Sequence, residues 1–284
     1  MNTLHLKYVD DLSVAEKINL EKQLVPAPVQ EQSLPAPFRA RTGHKLKIGE
    51  SEVYKQIIKT KEYADKNKMK INFKKTKILP FNTSKKYDFF PQLSFPGTEP
   101  LEVVYETRLL GVILASNLSW SPHVHDMTKR AISKLWILIR FKSLGGSQDQ
   151  LLKVYQTRIR STLEFAAPVF NFGLTKEQST KIEMVQKKAF VIILGKNYVN
   201  YESALLALNQ DRLDTRRVEL AYNFALKSSK SPRHSGMFPP NPAYRSNMRH
   251  LKPFLEHQCH SSRYFNSSIP SLARLLNKRH KPMD

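Results

Sequence analysis

At 284 residues, 40% of them hydrophobic, the chain can bury one large core or two ordinary ones, and it has no apolar run long enough to span a bilayer. Its opening lacks the order of a secretory signal, and the single cysteine, Cys259, excludes an internal disulfide framework and suits a reducing, intracellular compartment, nucleus or cytoplasm. Residues 1–118 carry 19 basic and 13 acidic groups and residues 119–284 carry 27 and 11, for a total of +22. A soluble chain this basic is suited to meet a polyanion.

The first element is "LHLKYVDDLSV", whose alternation predicts strand, sharp turn, strand, with Asp10 and Asp11 at the bend. Adjacent carboxylates between apolar runs repel each other and resist burial. On a turn they suit a hard divalent cation bound through oxygen, although Asp is also common in solvated turns. A short helix is predicted over Glu16–Leu24. "VPAPVQEQSLPAPF" then places four prolines in fourteen residues, which predicts an irregular, insertion-like segment over about 25–45. A helix follows over Glu52–Asn67, with Val53, Ile57 and Ala64 on its apolar face.

In "KMKINFKKTKILPF", Met69, Ile71 and Phe73 alternate with polar residues, the period of a half-buried strand. "RLLGVIL", from Arg108 to Leu114, is continuously apolar after its Arg and predicts a strand buried on both faces. From Ser121 the periodicity becomes helical. Ser121 as cap and Pro122 in the first turn predict a helix start. Apolar residues then recur at three- and four-residue steps: Val124, Met127, Ala131, Leu135 and Leu138; Leu152, Tyr155, Ile159 and Leu163; Ile182, Val185, Ala189 and Ile192, ending at Gly195. Further helices are predicted over Leu213–Lys227 and near Ser271–Asn277, separated by a polar, Pro-rich linker.

Strands with helices first, then helices alone, define an α+β fold followed by an all-helical domain. The expected divisions are 1–118, 119–230 and a basic, Pro-rich tail over 231–284 with a short closing helix. Lys129, Arg130, Lys153, Arg160, Lys181 and Lys188 fall off the apolar stripes, where they can line a phosphate backbone or simply be solvated. His257, Cys259 and His260 lack a second pair at zinc-ligand spacing. His123 and His125, two apart at a helix start, do not share a face. Both groups read as polar surface residues.

"KYVDDLSV" resembles the catalytic hairpin of reverse transcriptases, in particular those of non-LTR retrotransposons. The order downstream is similar too. "KMKINFKKTKIL" resembles the next palm motif, "ETRLLGVILASNLSW" the primer grip leading to a Trp before the thumb, and "VQKKAFVIILG" and "SSIPSLARLLN" the helical C-terminal part. The resemblance implies a partial polymerase palm of antiparallel strands plus helices, then a thumb-like domain. It implies an RNA-directed DNA polymerase, a nucleotidyltransferase of a transposable element, that binds RNA/DNA primer-template and uses Mg2+. Asp10 would be the main metal ligand and Asp11 its neighbouring acid. Tyr8 would lie near the nascent duplex, Val9 behind the nucleotide, and Lys75 or Lys77 near the triphosphate. Leu109 and Gly111 would supply a mostly backbone grip, although a glycine there also suits an ordinary bulge. Trp120 would anchor palm to thumb.

"LLGVILASNLSWSPHVHDMTKRA" also resembles a segment of an AlkB-homologue tRNA-modifying protein, but no iron triad or Gly-rich methyltransferase loop accompanies it. The reverse-transcriptase resemblance places the fingers and a further catalytic Asp N-terminal to the hairpin, and nine residues precede Asp10. The expectation is therefore a chain that binds nucleic acid without extending a primer alone, with a separate chain possible as the source of fingers. The alternative is a non-catalytic nucleic-acid-binding protein derived from such an element.

Overall fold

Lysine-rich alternation and leucine-rich helical repeats lead to different architectures in the two parts of the chain. The computed structural model describes the backbone of residues 4–8, 11–15, 24–26, 44–46 and 52, and side chains as well over 53–81, 93–243 and 252–279. The chain divides into Met1–Leu109 with Leu114–Ser119, and Leu110–Ile113 with Trp120–Asp284. The first unit is mixed α/β with short two-stranded sheets, and the second is largely helical.

In the first unit β1 (Leu4–Tyr8) pairs antiparallel with β2 (Asp11–Ala15), from Leu4 opposite Ala15 to Tyr8 opposite Asp11. β3 (Leu24–Pro26) pairs antiparallel with β4 (His44–Leu46). Leu24 is therefore extended rather than helical, and residues 16–23 of that predicted helix lie outside the described residues. Val25 and Pro26, expected in an irregular segment, belong to a strand. Pro26 stands at the strand end, where a missing N–H is tolerated.

α1 (Glu52–Lys66) buries Ala64, with Val53 and Ile57 half-buried. Lys68, at φ 55°, ends it in a left-handed turn: its N–H donates to the Asp65 carbonyl at 3.1 Å, and Met69 N–H to Ala64 at 2.8 Å.

The strand expected through Met69, Ile71 and Phe73 does not form. The Asn72 carbonyl accepts from the N–H of Lys75 at 3.1 Å and of Thr76 at 3.2 Å, and the Asn72 side chain also accepts from Lys75. This local hydrogen bonding curls the backbone into a turn that the alternation does not reveal. Only β5 (Lys77–Ile78) is extended there, and it pairs parallel with β6 (Glu102–Val103), unlike the antiparallel strands expected.

The apolar run from Arg108 to Leu114 is likewise not one buried strand. It is β7 (Glu106–Leu109), a turn, and β8 (Val112–Ala115), which form a two-stranded sheet. Leu110 and Gly111 both have positive φ, 48° and 86°, the conformation of a tight two-residue hairpin loop.

In the second unit α2 (Ser121–Ser133) begins where predicted, with Pro122 in its first turn, but Trp120 occupies the cap position and Ser121 is already helical. The Ser121 hydroxyl instead accepts from Gln178 Nε2 at 2.9 Å. α3 (Leu135–Ser143) continues through Lys134, where two bonds three residues apart tighten the winding. Val124, Met127, Ala131, Leu135 and Leu138 are all buried. α4 (Gln148–Val154), capped by a reciprocal Ser147–Gln150 pair, runs into a π-helical stretch, Tyr155–Arg160, and then α5 (Ser161–Glu164).

The buried stripe here is Leu151, Tyr155, Ile159 and Leu163; Leu152, the expected first member, is half-buried. A strict four-residue repeat drifts by about 40° per step around an α-helix. The wider π winding keeps it facing the core.

Ala166, at φ 57°, turns the chain into α6 (Ala167–Phe170). α7 (Lys176–Leu194), opened by a Thr175–Gln178 capping box, ends at Gly195 as expected, with φ 58°. α8 (Tyr201–Ala207) and α9 (Leu213–Lys230) follow, then α10 (Ser262–Phe265) and α11 (Ser268–Arg279). α9 and α11 both outrun their predicted ends. One core joins α2, α3, α4, the π-helical stretch, α7 and α8. A smaller one joins Ala221 and Ala225 of α9 to Phe238, Leu272, Ala273 and Leu276. Among the described residues no helix is long and apolar enough to cross a membrane.

Candidate nucleic-acid interface

Asp11 opens β2 of the β1–β2 hairpin. Tyr8 pairs with Asp11 across the ladder. Val9 and Asp10, and the side chains of Tyr8 and Asp11, lie outside the described residues. Among the described residues no three His, Cys, Asp or Glu side chains gather as a metal site.

Lys75 is exposed on the Asn72 turn. Lys77 donates to its ladder neighbour Glu102 at 2.6 Å. Both partners are substantially exposed, so the pair adds about 1 kcal/mol or less.

Leu109 ends β7, half-buried. Gly111 occupies the hairpin turn, where a Cβ would stand 2.9 Å from the Phe165 ring. Trp120 packs within the helical unit, its ring centroid 6.1 Å from His123 and 6.3 Å from Phe170. His123 is not a surface residue: it is buried, and its Nδ1 accepts from the Ile113 N–H at 3.3 Å. His257 is half-buried and His260 exposed, while the Cys259 thiol donates to the His257 carbonyl.

The six predicted cations divide by their neighbours. Arg130 pairs with Asp126 at 2.9 Å and Lys181 with Glu177 at 2.6 Å, both one helical turn away. Arg160 is half-buried, lying 3.8 Å from Glu164 and donating to Gln210 at 2.7 Å, so it braces the helices. Lys129, Lys153 and Lys188 are exposed and make no ion pair among the described residues. These three are available to a phosphate backbone, whereas Arg130, Arg160 and Lys181 would first exchange a partner.

Inside the helical unit lies a polar network that apolar periodicity does not predict. Tyr155 donates to Gln186 Oε1, and Gln186 Nε2 donates to the Tyr201 hydroxyl at 2.7 Å and the Asp211 carbonyl at 3.0 Å. Tyr201 donates to Glu183 Oε1, which also accepts from Leu213 N–H at 3.2 Å. Arg217, fully buried, donates to Asn171 at 3.0 Å and Ser179 at 2.8 Å. Burial lowers its pKa, opposed by the charge of Glu183 and then of Asp214 and Glu164.

Burial raises Tyr155 well above the usual phenol value, aided by Glu164, Tyr201 and Glu183 and opposed by Arg160. Tyr201 is raised by burial and by its bond to Glu183. The sequence signal for this network is polar residues inside apolar stripes: Glu183 and Gln186 beside Ile182 and Val185, and Arg217 midway between Leu213 and Ala221. Near it Arg216 grips Glu164 through two bonds, at 2.5 and 3.2 Å, which raises the Arg216 pKa. Lys142 caps α7 by donating to the carbonyls of Ile192 at 2.5 Å and Ile193 at 3.2 Å.

The class defined by fold and site is a mixed α/β unit followed by a helical unit with exposed cations on several helices. No protein-family model, curated protein or solved structure matches the chain.

Proposed function

We propose that this polypeptide is a portion of a non-LTR retrotransposon reverse transcriptase, comprising part of the palm and a thumb-like helical domain, that binds RNA/DNA primer-template in the nucleus or cytoplasm. The observation that carries the reading is the β1–β2 hairpin, which brings Tyr8 opposite Asp11 at the end of its ladder. Exposed Lys129, Lys153 and Lys188 support duplex binding by the helices. The oxygen donors of Asp10 and Asp11 suit Mg2+, which when bound would stabilise charge on an attacking hydroxyl and a leaving pyrophosphate. Lys75, exposed, is better available to a triphosphate than Lys77, which holds Glu102.

A polypeptide of these 284 residues carries two of the three carboxylates that the resemblance implies. It therefore binds primer-template but extends it only when a fingers-bearing chain is added. Primer extension with Mg2+ and deoxynucleotides tests this: no product from the purified chain, and product in trans that Asp10→Asn abolishes. Extension by the chain alone, or product in trans unaffected by Asp10→Asn, would overturn it.

The three exposed lysines also support a second reading, a non-catalytic nucleic-acid-binding protein derived from such an element. Duplex affinity that Mg2+ and Asp10→Asn leave unchanged, with no product in trans, would favour it.

A further inference from the structure

The α2–α3 helix pair is apolar on two faces. One face is the core: Ala131, Leu135 and Leu138 are buried. The residues immediately after them form a second stripe, Ile132 at 45% exposure, Trp136 at 61% and Ile139 at 53%. Exposed Lys129 and Ser143 extend the stripe at its two ends. The steps are three and four residues, the spacing of a seam that takes another helix. Both faces persist across Lys134, so the tightened winding there does not break the stripe.

Charge identifies the occupant. From Met127 to Gln148 the sequence has five cations and no acid. Lys134 and Lys142 bond to groups of the fold, and Arg130 pairs with Asp126, but Lys129 is exposed at the end of the stripe and Arg140 beside it. A second copy docked on the same face would bring like charges together. A nucleic-acid strand would find a single aromatic ring to stack on, flanked by two isoleucines that stack poorly. An amphipathic helix with leucine-like residues on its seam and carboxylates on its flanks matches both the apolar spacing and the charge.

We infer that Ile132, Trp136 and Ile139, flanked by Lys129 and Arg140, form a docking seam for an acidic amphipathic helix of a protein partner. This inference does not rest on the reverse-transcriptase reading, and a partner helix on the seam would compete with a duplex for Lys129.

The test uses the full chain and Trp136 emission, assigned by comparison with Trp136→Phe because Trp120 also emits. The probe is a synthetic heptad peptide with leucine on its seam and glutamate on its flanks. The expected result is saturable binding with a blue shift, weakened about tenfold or more by Ile132→Ser with Ile139→Ser. Because both isoleucines are exposed, that double variant keeps its thermal midpoint, which separates lost docking from lost fold. Equal binding of a lysine-flanked peptide, or no binding of either peptide, would overturn the inference. So would an oligonucleotide or anionic vesicle that takes the Trp136 signal in place of the peptide, or self-association abolished by the double variant.

Discussion

The helical unit and the segment over residues 52–119 use their apolar residues differently. In the helical unit Met127, Leu138, Tyr155, Ile159, Phe170, Ile182 and Phe190 are essentially removed from water. In the earlier segment Tyr63, Met69, Phe73, Phe81 and Tyr105 are each 40% exposed or more, and the buried set is led by Ala64, Leu93, Phe95 and Leu101. A repeat of three and four residues gives each helix a continuous stripe to bury. Alternation with lysine gives isolated apolar residues, and local turn chemistry can take over from it. The difference teaches that stability resides in the helices, while the earlier segment presents charge and backbone on short ladders.

The largest test of that contrast is Glu183→Ala. It removes the acceptor of Tyr201 and of the Leu213 N–H and leaves Arg217 without its strongest compensating charge. The expected loss is about 3 kcal/mol or more by denaturant unfolding of the helical unit. A change within the error of the measurement would show the network to be incidental.

Next comes a matched pair of truncations. Leu138→Ala empties a fully buried site and should cost about 2–5 kcal/mol. Phe73→Ala, at a 40% exposed position, should cost about 1 kcal/mol or less. Equal losses would contradict the division of labour.

A smaller effect follows from the two buried phenols. Tyr155 and Tyr201 are held above their unfolded values, so the folded state favours the protonated phenol. Their contribution is fully present below about pH 10 and is lost as the pH rises past that value. The unfolding midpoint should fall progressively as the pH rises above about 10, and Tyr155→Phe should make the fall shallower.

Much of the helical unit is legible in the residues. The repeat from Val124 to Leu138 lies on the buried face, and Gly195 ends its helix because a left-handed turn there favours glycine. Other features resist reading. Leucine is uncommon at positive φ, so the Leu110–Gly111 turn is hidden inside an apolar run. The Met69–Phe73 alternation is real, but the Asn72 hydrogen bonds decide the backbone.

The candidate interface is half legible for a similar reason. Glu177, one turn before Lys181, is visible in the sequence, whereas Gln210 reaches Arg160 across fifty residues of chain that only tertiary structure brings together. Asp10 and Asp11 are conspicuous in the sequence, and the hairpin register gives the backbone setting of Asp11. Their chemistry is a matter for measurement.

The most direct measurement of the central claim is the salt dependence of affinity for an RNA/DNA primer-template, compared with Lys129→Ala, Lys153→Ala and Lys188→Ala combined. The claim predicts that log affinity falls steeply and linearly with log salt, and that the triple variant lowers the slope by about three. Because all three side chains are exposed, the variant should keep its thermal midpoint. Affinity that ignores salt, or a slope that the triple variant leaves unchanged, would contradict it.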